Sequence, residues 1–216
     1  AFMPRHGRHH SIPPHLVNFR ANVWAMKHLG CKRVISPCAA GSLQKEVKPG
    51  DFVICDQFVD WTDGRKTTFF EGPVVQHPSP ADTYCPELRK LAVDTAKKLG
   101  IPVHESGTVV VINGPRFSTK AESAFFTKQG WQVINMTAFP EAYLVMEMNM
   151  CPLNISLITD YDAGLVGDVP PVSHDAVIKV FNNNLANLKS LLFTMIENIP
   201  AEQAHCECSH STKLDL

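Results

Sequence analysis

The chain alternates between two hydrophobic periods, which predicts helices and strands in turn. Apolar residues spaced three and four apart predict helices, and short apolar runs bounded by Gly, Pro or Asn predict buried strands. The predicted helices are 16–29, 86–99, 119–130, 140–149 and 173–199, the last with Ser173 as its N-cap. The predicted strands are 33–36, 51–58, 107–112, 132–135 and 153–160. This order predicts an α/β fold with a central, mixed and mostly parallel sheet flanked by helices.

Length and composition favour one domain. At 216 residues with 44% apolar content, the chain can bury a single sizeable core. We assign residues 1–200 to this domain and residues 201–216 to a C-terminal tail. Ala1 to Pro4 resembles the end of a strand with nothing before it, so we expect a domain that is incomplete at its N-terminus. The predicted loop 60–82 is long enough to have a function of its own.

Charge and apolar pattern exclude several classes of partner. The chain carries 20 basic and 21 acidic residues without a block of like charges, so we predict no nucleic-acid partner and no membrane surface. No apolar run reaches the roughly 18 residues that span a bilayer, and the N-terminus has no signal-type segment. We therefore expect a cytoplasmic protein that binds a small molecule.

The seven cysteines divide into two groups. Five are scattered without the spacing of metal ligands, and we predict free thiols and no metal in the functional site: Cys31, Cys38, Cys55, Cys85 and Cys151. Cys206 and Cys208 in the tail are flanked by His205 and His210. Their spacing leaves open a local disulfide, a bound metal and an ordinary mobile tail.

Two carboxylates follow the apolar run 153–158. Ligands of open α/β sheets lie at the C-terminal edge of the strands, where Asp160 and Asp162 are predicted to lie. In an extended conformation both point the same way, whereas a turn would let one contact the ligand and the other brace it. The alternative is an Asp-rich loop cap without a ligand.

Other segments offer groups that bind anions. Arg5 and His6 follow the first strand end, and a guanidinium presents a planar fork to oxyanions. Cys38 and Ala39 lie in residues 37–42, predicted to be a small-residue turn whose amides can bind an anion. A solvated His-rich loop and close helix packing are the alternatives.

Two side chains extend this set. The hydroxyl of Thr137 follows a predicted strand and suits a phosphate oxygen. Phe117 follows a Gly-Pro turn, which favours stacking on a planar base over a place in the core.

Three motifs in combination resemble a known family. They are Gly-Pro-Arg-Phe-Ser at 114–118, Asn-Met-Thr at 135–137 with Pro140-Glu141, and Asp-Tyr-Asp at 160–162. The chain resembles the trimeric-class purine nucleoside phosphorylases, and most closely their methylthioadenosine phosphorylase branch. The resemblance extends from Arg5 to about Ser190.

The resemblance implies a homotrimer that cleaves a nucleoside with inorganic phosphate, giving free base and a sugar 1-phosphate without a cofactor. It implies a phosphate site of Arg5, His6, Cys38, Ala39 and Thr137. It implies a nucleoside site of Phe117, Ser118, Met136, Asp160, Asp162 and His174, with His77 entering the site of a neighbouring subunit.

The chemistry of bond cleavage agrees with these roles. Positive charge develops on the ribose and negative charge on the leaving purine, so the reaction needs phosphate on one side and an acid at the base. We assign Asp160 to hold or donate the proton at purine N7, with Asp162 helping to keep it protonated. A carboxylate pair accepts from a 6-amino group, which favours adenine over 6-oxo bases.

The sequence departs from the family pattern at three points. The first strand and its Gly-rich turn with a Thr or Ser phosphate ligand are absent, and Cys38 replaces a Thr of the animal enzymes. His174 replaces a small apolar residue, whereas nucleoside-specific relatives have a His that binds the 5′-hydroxyl. The leading substrate is therefore 5′-methylthioadenosine, with adenosine or another purine nucleoside as the alternative. A non-catalytic nucleoside-binding subunit and a hydrolytic nucleosidase are rival interpretations; the phosphate set disfavours the second.

Overall fold

The computed structural model describes residues 1–163, 172–203 and 206–213. The strands are β1 (Arg33–Ser42), β2 (Phe52–Ile54), β3 (Gln57–Trp61), β4 (Val103–His104), β5 (Thr108–Ile112), β6 (Val133–Asn135) and β7 (Cys151–Asp160). The helices are α1 (Phe19–His28), α2 (Pro86–Lys98), α3 (Lys120–Lys128), α4 (Ala138–Glu147) and α5 (His174–Asn198). All five predicted helices are thus confirmed, with shifts of a few residues at their ends.

The strands form one mixed sheet in the order β3-β5-β6-β1-β7-β2-β4. Four pairings are parallel, namely β1–β7, β2–β4, β3–β5 and β5–β6. The other two, β1–β6 and β2–β7, are antiparallel. The predicted α/β fold with a mixed, mostly parallel sheet is confirmed.

The predicted strand 51–58 is in fact two strands at different places in the sheet. β2 pairs with β4 and β7, whereas β3 pairs with β5 at the far end of the strand order. Only Cys55 and Asp56 join them, so the two ends of the sheet lie close together and the sheet curls towards a barrel. At this corner the N–H of Gly107 donates to Asp56 Oδ1 at 3.1 Å, and a Cβ on Gly107 would lie 2.7 Å from Val53.

β1 and β7 end at the same edge of the sheet, so the predicted site residues at their ends lie close together. They run parallel from the pair Arg33–Cys151 to the pair Gly41–Asp160, so both end at the same side of the sheet. β7 is buried until it emerges at Asp160. The prediction of a turn at 37–42 was wrong, because the small residues there belong to β1. They resemble turn residues in composition but allow β1 to pack closely against its neighbours.

Helices cover both faces of β7. One apolar cluster contains Leu88 of α2, Leu191 of α5 and the odd-numbered residues of β7 from Cys151 to Leu157. Ile158 faces the opposite side, in a cluster with Ala142 of α4. This alternation places α2 and α5 on one face and α4 on the other. Among the described residues, no helix is long and apolar enough to cross a membrane.

Residues 206–213 of the tail pack on the domain. The N–H of Thr212 donates to Asn149 Oδ1 at 2.9 Å, and the sulfurs of Cys206 and Cys151 lie 3.5 Å apart. Cys85 and Cys151 are free thiols, as predicted, but both lie beside the tail cysteines, which the sequence did not reveal. Sequence spacing could not reveal this, since 66 residues separate Cys85 from Cys151.

Candidate active site

The chain turns directly after β7, and Asp160 is the centre of the turn. The N–H of Asp162 donates to Asp160 Oδ1 at 2.8 Å, and the hydroxyl of Thr159 donates to Asp160 Oδ2 at 2.7 Å. Asp162 has a positive φ of 48°, so it does not continue the strand. Of the two geometries open from the sequence, the turn is the one observed.

Both carboxyl groups keep a proton to a higher pH than an ordinary aspartate does. Burial raises the pKa of Asp160 to about 6, and the charge of Asp162 contributes to the rise. Burial also raises the pKa of Asp162. Asp160 can therefore be protonated near neutral pH, which is the property required of an acid at a leaving base.

Asp162 carries an unused acceptor. Its side chain is 3% exposed, and Oδ2 has no hydrogen-bond partner among residues 1–163, 172–203 and 206–213. The hydroxyls of Ser118 and Ser123 face it and lower its pKa, although each lacks a partner of good geometry in the same residues. A buried acceptor and two buried hydroxyls without partners form a polar group that a bound ligand or water can satisfy. Ser123 was not identified from the sequence, because it lies inside α3.

Gly41 allows the strand ends to approach. A Cβ at this position would lie 2.9 Å from Asp160 Oδ1 and 2.9 Å from Ile134 Cγ2. Gly41 is also the residue at which β1 pairs with both β6 and β7. The absence of a side chain here therefore keeps Asp160 next to β6 and its Asn-Met-Thr extension.

One edge of β1 is open beside Arg5. Within the described residues, β1 pairs with β6 only through Gly41 and Ser42. The carbonyl of Pro37 accepts from Arg5 Nη1 at 3.2 Å, so it faces this open edge rather than β7. Along a strand, alternate residues direct N–H and C=O to the same side, so the N–H of Ala39 faces the same edge. An anion bound there can meet both an amide and a guanidinium.

Arg5 is oriented by an ion pair that the sequence did not reveal. Its Nε and Nη2 donate to Glu141 Oε2 and Oε1, both at 2.8 Å. Glu141 and the carbonyl of Pro37 together use three of the five N–H groups of the guanidinium, so one N–H on Nη1 and one on Nη2 remain available to an anion. Glu141 belongs to the motif quoted from the sequence, but its pairing with Arg5 leaves no pattern there, since 136 positions separate the two residues.

Cys38 lies within a polar network between β1, β6 and β7. Its sulfur accepts from Asn135 Nδ2 at 3.3 Å and from Asn154 Nδ2 at 3.6 Å. Ser156 Oγ is 3.5 Å away and donates to Asn154 Oδ1 at 2.8 Å. The thiol is thus fixed in place, and it keeps a single weak S–H donor.

The Asn-Met-Thr motif forms the connection from β6 to α4. Asn135 Oδ1 accepts from the N–H of Thr137 at 3.4 Å and of Ala138 at 3.3 Å, which bends the chain after the strand. Met136 lies against Gly114, where a Cβ would come 2.5 Å from its sulfur. The motifs at 114–118 and 135–137, distant in sequence, are therefore neighbours.

Arg65 holds the loop between β3 and α2 against the residues that follow β5 and β6. Its Nη2 donates to the carbonyls of Met136 at 2.9 Å and Asn113 at 3.0 Å, and its Nη1 donates to the carbonyl of Phe139. The guanidinium also lies over the ring of Phe19, 5.3 Å from its centroid. Burial lowers the pKa of Arg65 to about 10. Nothing in the sequence distinguished this arginine from the other polar residues of the loop.

Histidines bring the N-terminal loop and α5 together. His6 stacks on His10 with ring centroids 4.8 Å apart, and His10 lies 6.1 Å from His174. Burial lowers the pKa of His6, and His10 and Arg5 lower it further. Ser173 accepts from the N–H of Ala176 at 3.3 Å, so the predicted N-cap is confirmed.

Phe117 and His77 lie apart from these contacts. The side chain of Phe117 is 38% exposed, next to the half-buried Ser118. His77 is exposed in the loop that joins β3 to α2. Their predicted roles against the purine and in a neighbouring site stay predictions.

Comparison with known proteins gives consistent matches. The profile of the phosphorylase superfamily matches residues 1–197. The S-methyl-5′-thioadenosine phosphorylase of Thermofilum pendens is 51% identical over 211 residues, covering 98% of this chain and 79% of that protein. The enzyme of the same name from Thermococcus kodakarensis is 52% identical over 213 residues, covering 99% and 81%.

Two further matches bear on substrate and shape. The purine nucleoside phosphorylase of Streptomyces coelicolor is 43% identical over 217 residues, covering 96% of this chain and 77% of that protein. The structure of methylthioadenosine phosphorylase from Schistosoma mansoni in complex with adenine superposes with a TM-score of 0.90 at 34% identity, covering 96% of this chain and 80% of that one.

Proposed function

Because the chain belongs to the phosphorylase superfamily, we propose that it cleaves the glycosidic bond of 5′-methylthioadenosine with inorganic phosphate. The products are adenine and 5-methylthioribose 1-phosphate. The observation that carries this proposal is the buried Asp160, whose pKa is raised to about 6 at the shared end of β1 and β7. The names of the similar proteins, methylthioadenosine phosphorylases from several organisms, support the same substrate.

Asp160 acts at the base. As the bond to the sugar breaks, electrons move onto the purine, and a proton held between Asp160 and N7 neutralises the charge that develops. Asp162 contributes through its charge, which helps to keep the pKa of Asp160 raised. The free acceptor on Asp162 suits a donor such as the 6-amino group of adenine.

Phosphate binds on the other side of the sugar, at the open edge of β1. Arg5 presents the end of its guanidinium, and the N–H of Ala39 faces the same edge. We assign His6, Cys38 and Thr137 to the same anion, which attacks the ribose as positive charge develops on it. Phosphate is a co-substrate here, and we propose no other cofactor.

Adenosine is the second candidate substrate. The observation that favours it is His174, whose ring lies 6.1 Å from that of His10 at the start of α5. An imidazole there can hydrogen-bond a 5′-hydroxyl but gains little from a thioether.

We also propose a homotrimer. Trp61 and Phe125 are each nearly half exposed, and the centroids of their rings lie 5.6 Å apart, so the two rings form one aromatic surface. Such surfaces on soluble proteins mark interfaces, and burial in a trimer would remove these rings from water.

The test is phosphate dependence of adenine release from 5′-methylthioadenosine, followed by chromatography of both products. We expect adenine and 5-methylthioribose 1-phosphate in equal amounts only when phosphate is present. Release without phosphate would make the protein a hydrolase, and binding of the nucleoside without release would make it a non-catalytic subunit. Asp160→Asn is the matched variant: it should reduce turnover and leave phosphate dependence intact.

A further inference from the structure

Four cysteine sulfurs meet at the end of the sheet opposite the active site. The Sγ atoms of Cys85, Cys151, Cys206 and Cys208 all lie within 4.8 Å of one another. Cys85 immediately precedes α2 and Cys151 begins β7, while the other two belong to the tail. Because β7 spans ten residues, the cluster lies about 30 Å from Asp160.

The sulfurs are not arranged in pairs. Cys151 Sγ lies 3.5 Å from Cys206 Sγ, and the sulfurs of Cys85 and Cys208 lie within 4.8 Å of it. Cys85 Sγ likewise has the other three sulfurs within 4.8 Å. A disulfide gives each sulfur one partner at about 2.05 Å. In a tetrahedral zinc site with Zn–S distances of about 2.3 Å, every sulfur has three sulfur neighbours at about 3.8 Å. The observed pattern of several neighbours per sulfur is that of the metal site.

The surroundings suit thiolates that bind a metal. Gln203 Nε2 donates to Cys151 Sγ at 3.0 Å. Such an N–H···S bond orients a thiolate ligand and offsets its charge. Apolar side chains enclose the rest of the cluster, among them Leu88, Met195 and Ile199.

We propose that Cys85, Cys151, Cys206 and Cys208 bind one Zn²⁺ in a closed tetrathiolate site. Zinc is the divalent metal that four cysteine sulfurs in tetrahedral arrangement select, and four protein ligands leave no position for a substrate. The ion has a structural role: it ties the tail to the starts of α2 and β7.

The first experiment uses the whole unmodified protein. We expect about one zinc per chain by elemental analysis after purification in reducing buffer, as for structural zinc sites. After the metal is removed and the thiols are reduced, added Co²⁺ alone should give the intense visible bands of a tetrahedral Co²⁺–thiolate site. These readouts need no catalytic activity, so they succeed or fail independently of the proposed phosphorylase function.

Variants and a thiol count separate the alternatives. Cys208→Ser should lose the zinc and the Co²⁺ bands, whereas Cys31→Ser, which changes a cysteine outside the cluster, should keep both. In denaturant with chelator but without reductant, all seven cysteines should react with an alkylating reagent. Fewer reactive thiols together with absent zinc would identify disulfides and overturn the proposal. Seven reactive thiols and no Co²⁺ spectrum after reduction would identify a plain thiol cluster and overturn it equally.

Discussion

Glu141 holds Arg5 in a two-pronged ion pair, with both N–O distances 2.8 Å, although 136 residues separate them. The same guanidinium donates to the carbonyl of Pro37 on the open edge of β1. Arg5 is thus fixed from two sides before any ligand binds. Because its charge is already partly neutralised, a phosphate bound there as we propose would share one cation with Glu141.

In Glu141→Gln, added phosphate should raise the free energy of unfolding more than it does in the parent protein. The amide keeps the shape of the side chain but removes the charge, which should lower the free energy of unfolding by about 1–3 kcal/mol. Added phosphate should then stabilise the variant more than the parent, because the variant lacks the carboxylate that pairs with Arg5. The measurement is denaturant unfolding with and without phosphate, with Glu71→Gln, in an exposed ion pair with Arg20, as the control. Equal gains from phosphate in both proteins would place the phosphate away from Arg5.

The raised pKa of Asp160 should appear in the pH dependence of stability. Between the ordinary aspartate pKa of 3.8 and about 6, the unfolded chain loses the proton while the folded chain keeps it. The free energy of unfolding of the parent, relative to Asp160→Asn, should therefore fall as pH rises from about 4 to 6, by on the order of 2 kcal/mol, and then level off. Unfolding curves of both proteins across this range test it. A constant difference would show that the pKa of Asp160 is not raised by folding.

Asp160→Asn should also shift base preference from 6-amino towards 6-oxo purines. An amide can donate to O6, but it cannot share a proton with N7 in the way a carboxyl group does. Loss of this buried bond costs on the order of 1–3 kcal/mol for the adenine nucleoside. Phosphorolysis of adenosine and inosine should be measured side by side, and an unchanged ratio would remove Asp160 from base recognition.

The sequence predicted where strands end better than it predicted which strands and side chains lie in contact. Asp160 and Thr137 were identified because an apolar run followed by polar residues marks a strand and its end. The separation of β2 from β3 was missed, since their apolar run is nearly continuous and the change of partner occurs at Cys55 and Asp56. Glu141 as a partner of Arg5 was missed because ion pairs between distant residues leave no local pattern.

Arg65→Lys should weaken nucleoside binding from a distance. The guanidinium bridges the carbonyls of Asn113, Met136 and Phe139, and a single ammonium cannot reach all three. We expect a higher KM for the nucleoside and a loss of about 1–3 kcal/mol in stability. Lys66→Ala, which changes the exposed neighbour, should alter neither quantity substantially. A stability loss with normal KM would limit Arg65 to holding the loop.

His174 is the residue on which the choice between the two substrates depends. It is the first residue of α5, and its ring lies 6.1 Å from that of His10, which in turn stacks on His6 of the phosphate set. In the proposed site the imidazole is on the sugar side, where it can bond a 5′-hydroxyl but has no partner in a methylthio group.

His174→Val should accordingly favour 5′-methylthioadenosine over adenosine relative to the parent. An imidazole left without its hydroxyl partner costs roughly 1–3 kcal/mol, so the ratio of kcat/KM values for the two nucleosides should change about 5- to 150-fold. Ser173→Ala is the matched control, because it removes the N-cap bond to Ala176 and leaves the imidazole in place. In Ser173→Ala, α5 should be less stable, while the ratio of kcat/KM values for the two nucleosides should equal that of the parent. If the ratio instead moves equally in both variants, the start of α5 affects the site through helix stability, and His174 does not contact the 5′ group.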